Sequence, residues 1–190
     1  MAAFEHVISL LSFVYALGIA HLLGATALLI RNSARVRFSW LHGFYMLNAI
    51  VTLTANWISY WDLRALPAWS VGSIMFTFAM AFANYLQAAL VCPEVREGEP
   101  LDLVAFQSRQ RVRIIGSWTL SAAFAVAANA VYGGGFAVSE WSAQNLLVVP
   151  MLVVGVAALI WPSKWVQIPA AILLGCLWAI YFAAFQPALH

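Results

Sequence analysis

The sequence predicts an all-α polytopic membrane protein of six transmembrane helices, with both termini on the non-cytoplasmic side. Three observations carry this. First, 64% of the 190 residues are apolar and only 8% are charged, with a mean hydropathy of +0.88; soluble domains are nearer half apolar and about a quarter charged. Second, four long windows contain no Asp, Glu, Lys or Arg: His6 to Ile30, Val71 to Val91, Ile114 to Ser139 and Trp141 to Ser163. A mostly apolar stretch of about 18 residues or more without charges is a transmembrane candidate. Third, the basic residues gather in alternate connections, and so on one side of the membrane, in a way that fits an even number of crossings.

The candidate spans, within a single transmembrane domain covering residues 1–190, are 5–30, 39–61, 69–91, 114–132, 144–161 and 165–185. Lipid offers the backbone no hydrogen-bond partners, so each span is expected to be helical. The first is long enough to tilt across ~30 Å of hydrocarbon. Its flank, Met1-Ala2-Ala3-Phe4-Glu5, has no basic region of the kind that opens a signal peptide, and it reads as a retained helix. Pro150 within the fifth span is expected to kink it, and Gln167 and Pro169 to open the sixth, where proline is tolerated. Gly133-Gly134-Gly135 reads as an outer turn; without a following Lys-Ser/Thr it is no phosphate loop.

Arg31, Arg35 and Arg37 fall between the first two spans, Arg96, Arg109, Arg111 and Arg113 between the third and fourth, and Lys164 between the fifth and sixth. All lie on one side, and only Arg64 lies on the other. The positive-inside rule makes the basic side cytoplasmic. The connection from Cys92 to Arg113 is the longest cytoplasmic one; Leu101, Val104 and Ala105 in it predict a short interfacial helix running into the fourth span. Trp40, Trp57, Trp61, Trp69, Trp141, Trp161 and Trp165 sit near span ends, as in the aromatic belts of membrane interfaces. Cys92 is placed at a cytoplasmic helix end and Cys176 inside the last span, and both read as small apolar filler rather than a disulfide pair.

Two spans carry polar stripes. At about 100° per residue, His42, Tyr45, Asn48, Thr52, Asn56 and Ser59 share one sector of the second helix. Ser70, Ser73, Thr77, Asn84 and Gln87 form a similar sector on the third, with Met80 in the gap. A short connection makes these helices antiparallel neighbours. Matching depths then pairs Tyr45 with Gln87, Asn48 with Asn84, Thr52 with Thr77, and Asn56 with Ser73. Either the stripes form a ladder of interhelical hydrogen bonds, each contributing only ~0.6 kcal/mol, or they line a polar crevice; intramembrane polar groups often mark pathways. His21, within Gly18-Ile19-Ala20-His21-Leu22-Leu23-Gly24, lies near the depth of Asn48 and Asn84, where it either relays a proton or donates one interhelical bond. Gly18 and Gly24 would let another helix approach closely. The candidate pathway or network is therefore His21, Tyr45, Asn48, Thr52, Asn56, Ser73, Thr77, Asn84 and Gln87.

Several chemistries lack their residues. No span contains lysine, which excludes a retinal Schiff base. His21 and His42 differ in depth by about two turns, a poor arrangement for a bis-His haem. Intramembrane carboxylates for an ion pump are missing, and so are the HExxH, GxSxG and P-loop motifs. Glu5, His6, Asp62, Glu140 and His190 map to the outer side with no spacing that enforces metal geometry. No cofactor and no metal site is expected, and the missing carboxylates and ligand sets disfavour a membrane enzyme or cofactor binder without excluding one.

Phe4-Glu5-His6-Val7 and Leu17 to Leu23 resemble the start of a group of small uncharacterised bacterial multi-pass membrane proteins. Their first helix carries G-x-x-H-L-L before a basic turn and an aromatic second helix, as Gly18 to Leu23, Arg31 to Arg37 and Trp40-Leu41-His42 do here. The resemblance covers roughly the first two spans. It implies a bacterial inner-membrane location and no substrate.

The expected function is a small membrane channel or transporter with a polar pathway between helices 1–3. The alternative is a non-catalytic membrane subunit or scaffold packed against a partner membrane protein. The expected partners are the lipid bilayer and, as one option, further copies of the chain, with no nucleic acid. Two halves of three spans would have opposite orientations, as in inverted-repeat transporters. However, Phe82-Ala83-Asn84-Tyr85-Leu86 and Tyr181-Phe182-Ala183-Ala184-Phe185 match too loosely to show such a repeat.

Overall fold

Apolar runs with few breakers become long helices. A computed structural model describes residues 2–66, 68–96, 99–132 and 145–184, and almost all of them are helical. The main helices are α1 (Ala2–Arg31), α2 (Trp40–Ser59), α3 (Val71–Val91), α4 (Leu103–Tyr132), α5 (Val148–Ile160) and α6 (Lys164–Ala184). Four are long and apolar enough to cross a membrane: Phe4–Arg31 of α1, α3, α4, and Lys164–Ala183 of α6. The polar stripe on α2 separates that helix from these four despite its 20 residues. The described part of α5 has 13 residues, roughly 20 Å of helix. Gly133-Gly134-Gly135, Glu140, Trp141 and His190 lie outside the described residues.

Local chemistry sets the helix ends. Ser39 caps α2, its hydroxyl accepting from the His42 N–H. Ser70 and Ser73 form a reciprocal capping box on α3, each hydroxyl accepting from the other's backbone N–H. Asp102 opens α4, its carboxylate accepting from the backbone N–H groups of Val104 and Ala105. The expected interfacial helix running into the fourth span is the first part of α4, though it begins at Leu103. That helix runs without a break for 30 residues, because the stretch after Leu103 holds neither Pro nor, before Gly116, Gly.

Pro150 makes no mid-helix kink. It stands in the first turn of α5, where a missing N–H removes no intrahelical bond. Pro169 stands deeper than expected, since α6 begins at Lys164. The last carbonyls of α5 find side chains from two other helices. The Arg111 guanidinium donates to Ala158 and Leu159 (2.6 and 3.0 Å), and the Gln167 amide donates to Ala158 and Trp161 (2.7 and 2.8 Å).

A two-residue parallel pair, β1 (Val36–Arg37) on β2 (Leu101–Asp102), joins the α1–α2 connection to the α3–α4 connection. The Arg37–Asp102 ion pair at 2.9 Å reinforces it. The α1–α2 arginines therefore share one end of the bundle with the start of α4, and Arg111 ties the end of α5 to the same region.

The main core gathers α1, α2, α3 and α4 around Leu11, Tyr15, Leu22, Leu53, Ala81, Ala88 and Ile114. Gly18 permits the approach of α1: a Cβ there would meet Leu53 at 3.2 Å and Ala88 at 3.7 Å. No such neighbour faces Gly24 within 4 Å. A second cluster of Trp118, Met151, Leu174 and Leu177 holds α4, α5 and α6 together.

Candidate functional site

The stripe of α2 turns inward, as its spacing requires. His42, Tyr45, Asn48 and Thr52 are buried, and Asn56 and Ser59 are half-buried. On α3, Thr77, Met80, Asn84 and Gln87 are buried, while Ser70 is exposed. No hydrogen bond joins the two stripes across any of the four depth-matched pairs; among the described residues, the bonds run to other elements. The Asn48 carbonyl accepts from the indole N–H of Trp178 on α6 at 2.6 Å. The Asn84 amide donates to the Tyr15 hydroxyl on α1 at 3.2 Å and to the Met80 carbonyl at 3.0 Å. Thr77 Oγ1 lies 2.6 Å from the Tyr132 hydroxyl on α4, which also donates to the Ser73 carbonyl at 3.0 Å. Asn56 bonds back to the Thr52 carbonyl, and Ser73 is occupied as a helix cap.

His21 stands apart, exposed on the outer face of α1. A depth estimate does not fix azimuth, and the buried stripe of α1 runs through Val7, Leu11, Tyr15, Leu22 and Ala25 instead. Tyr15 is the polar member of that stripe, and its helical spacing could have singled it out. Its hydroxyl lies 3.0 Å from that of Tyr60, and their rings meet edge to face at 5.5 Å. Tyr15, Tyr60 and Asn84 thus tie α1, the turn after α2, and α3 into one buried knot.

The void beside these stripes lies between α2, α4, α5 and α6. It measures about 600 Å³. One end is bounded by Asp62, Leu63 and Leu66 of the α2–α3 connection; Thr52, Met80 and Trp118 lie further in. Thr52 and Asn56 are the two predicted residues in its wall, and Met80 is the contribution of α3. α4 supplies Trp118, Ser121, Ala125, Asn129 and Tyr132, and α6 supplies Trp178 and Tyr181. Small residues on α4 leave the space, and aromatic rings bound it.

Trp118 and Trp178 were missed as wall residues, although the sequence holds a signal. Seven of the nine tryptophans fall at span ends, and these two fall inside spans. Trp118 is buried and Trp178 half-buried, whereas Trp40, Trp57, Trp61, Trp161 and Trp165 are exposed near helix ends.

Further along α2, away from the Asp62 end, the stripe continues as a packed polar column. Asn48 meets Trp178 there, Tyr45 follows, and His42 Nδ1–H donates to the Gln107 side-chain carbonyl at 2.9 Å. The His42 ring also packs edge-on against Phe106. Buried polar atoms without a protein partner concentrate along this face: Thr52 Oγ1, Asn48 Nδ2, the Tyr45 hydroxyl and His42 Nε2 on α2, with Gln87 Oε1 and Asn84 Oδ1 on α3. Buried polar groups are normally paired, and this face is where the described bundle departs from that rule most. Among the described residues, no three His, Cys, Asp or Glu side chains gather into a metal site. Comparison of the chain with family models, curated proteins and solved structures returns no match.

Proposed function

We propose that this protein is a small membrane channel or transporter that crosses the bilayer six times, both termini facing outward, and takes its solute through the cavity between α2, α4, α5 and α6. The single observation that carries this is the cavity itself: about 600 Å³ beside the α2 stripe, continued by a buried polar column toward the other end of the bundle. Pockets for small molecules fall in the range of ~300–1,000 Å³ and combine apolar walls with a few placed polar groups. A purely structural ladder would pair its polar atoms with each other; here they bond sideways or stay unpartnered.

The orientation follows from charge. The β1–β2 pair and the Arg111 bonds to α5 support a common end for the basic connections. With that end cytoplasmic, the cavity faces outward, and the contact of Asn48 with Trp178 is its floor. Opening the floor would connect the cavity to the polar column, an alternating-access arrangement.

Reconstitution into liposomes tests this. Uptake of small uncharged and charged solutes is expected above that of empty vesicles, and Ser121→Trp, which fills the cavity, is expected to reduce it at least tenfold. Asn48→Leu, which removes the floor contact, is expected to change the rate while the purified protein stays monodisperse and helical. Absence of flux for every solute, or flux indifferent to a folded Ser121→Trp variant, would remove the pathway.

A further inference from the structure

We infer that the cavity selects a monovalent organic cation with an apolar body. This inference rests on the cavity being a solute site. Among the described residues, the wall contains no lysine or arginine. An anion there would lose its hydration without a cationic partner, a cost of several kcal/mol or more. A bare divalent ion would need about six oxygen ligands in a tight shell; the cavity is far larger than that, and no carboxylate cluster surrounds it among the described residues. The space suits an organic molecule.

The sign of its charge comes from the rim. Among the described residues, Asp62 is the charged residue in the wall, and no basic side chain pairs with it. Arg64, two positions along, is engaged elsewhere: its guanidinium lies 4.6 Å over the Trp61 ring and donates to the Trp61 carbonyl at 3.4 Å. Trp118 and Trp178 further in, and Tyr132 nearer the rim, line the space with aromatic rings, the kind of surroundings in which organic cations are stabilised. A carboxylate at the entrance and aromatic walls behind it match a lipophilic cation better than an anion or a neutral solute.

The test compares three probes of similar shape and different charge on the purified full-length protein by equilibrium dialysis: tetraphenylphosphonium, triphenylphosphine oxide and tetraphenylborate. Saturable binding is expected for the phosphonium, with the oxide and the borate at least tenfold weaker. Asp62→Asn, on an exposed turn, is expected to weaken phosphonium binding about fivefold, the scale of a surface ion pair, and added salt is expected to reproduce that loss. Ser121→Trp should abolish binding. Equal binding of the oxide or borate, or phosphonium binding unchanged in Asp62→Asn, overturns the cation assignment and leaves the pathway standing. If no probe binds saturably but liposome flux persists, the assignment falls alone. If binding and flux are both absent, the assignment and the pathway fall together.

Discussion

At the scale of single residues, helical spacing made depth and burial legible but not partners. The α2 stripe is legible because six polar residues share one sector, and four of them are buried and two half-buried. The bonds were not found, because a polar face meets whichever helices the tertiary fold brings to it; Asn48 reaches a tryptophan 130 positions away. The same gap explains His21, whose depth was estimated while its direction depended on which side of α1 the bundle formed. Asp102 shows a charge whose role is local. The Ala105 backbone N–H, with those of Val104 and the Arg37 guanidinium, holds its carboxyl below the usual carboxylate range. A depressed acid pKa stabilises the folded state above the ordinary value of about 3.9 and loses that effect as pH falls through the lower folded value. Asp102→Asn is therefore expected to unfold at a lower temperature than the parent at neutral pH, with the gap closing below about pH 4. Thermal unfolding in detergent across that range checks it; a gap independent of pH would contradict the electrostatic account.

At the scale of elements, caps and close approaches decide how α5 and α6 are held. The sequence placed Arg111 among the cytoplasmic basic residues, and the structure gives it a second task as a cap for the end of α5. That task was invisible because the two sites lie 47 residues apart in the chain. Gly155 is where α5 presses on α4. A Cβ there would overlap the Trp118 ring and come within 2.6 Å of Thr119 Oγ1. Gly155→Ala is expected to destabilise the protein by ~1–3 kcal/mol, the usual cost of overpacking. Pairing it with Trp118→Phe should recover part of the loss, since the smaller ring vacates the contested space. Chemical unfolding of the two variants reads this out; a neutral Gly155→Ala would show that α4 and α5 are not so closely packed.

At the scale of the whole molecule, the all-helical class and the membrane-compatible helices were legible in composition and charge-free windows, and four helices meet the length and hydropathy of a crossing. The location of the cavity was not legible. Polar stripes drew attention to the first three helices, but space is created by small residues, here Ser121, Ala122, Ala125 and Ala128 along α4, and small apolar residues carry no polarity signal. Their place on one face of α4, with Ala122, Ala125 and Ala128 three positions apart, becomes meaningful once α2 and α6 are seen to stand opposite. The central claim is that this void is reached by water from the non-cytoplasmic side. The most direct measurement labels Ser121→Cys, in a chain with Cys92 and Cys176 changed to Ala, using a membrane-impermeant maleimide on sealed vesicles of each orientation. Labelling from the face opposite the arginine-rich end, slowed by tetraphenylphosphonium, is the predicted result. Labelling from the arginine-rich face alone, or none from either face in a folded variant, would contradict it.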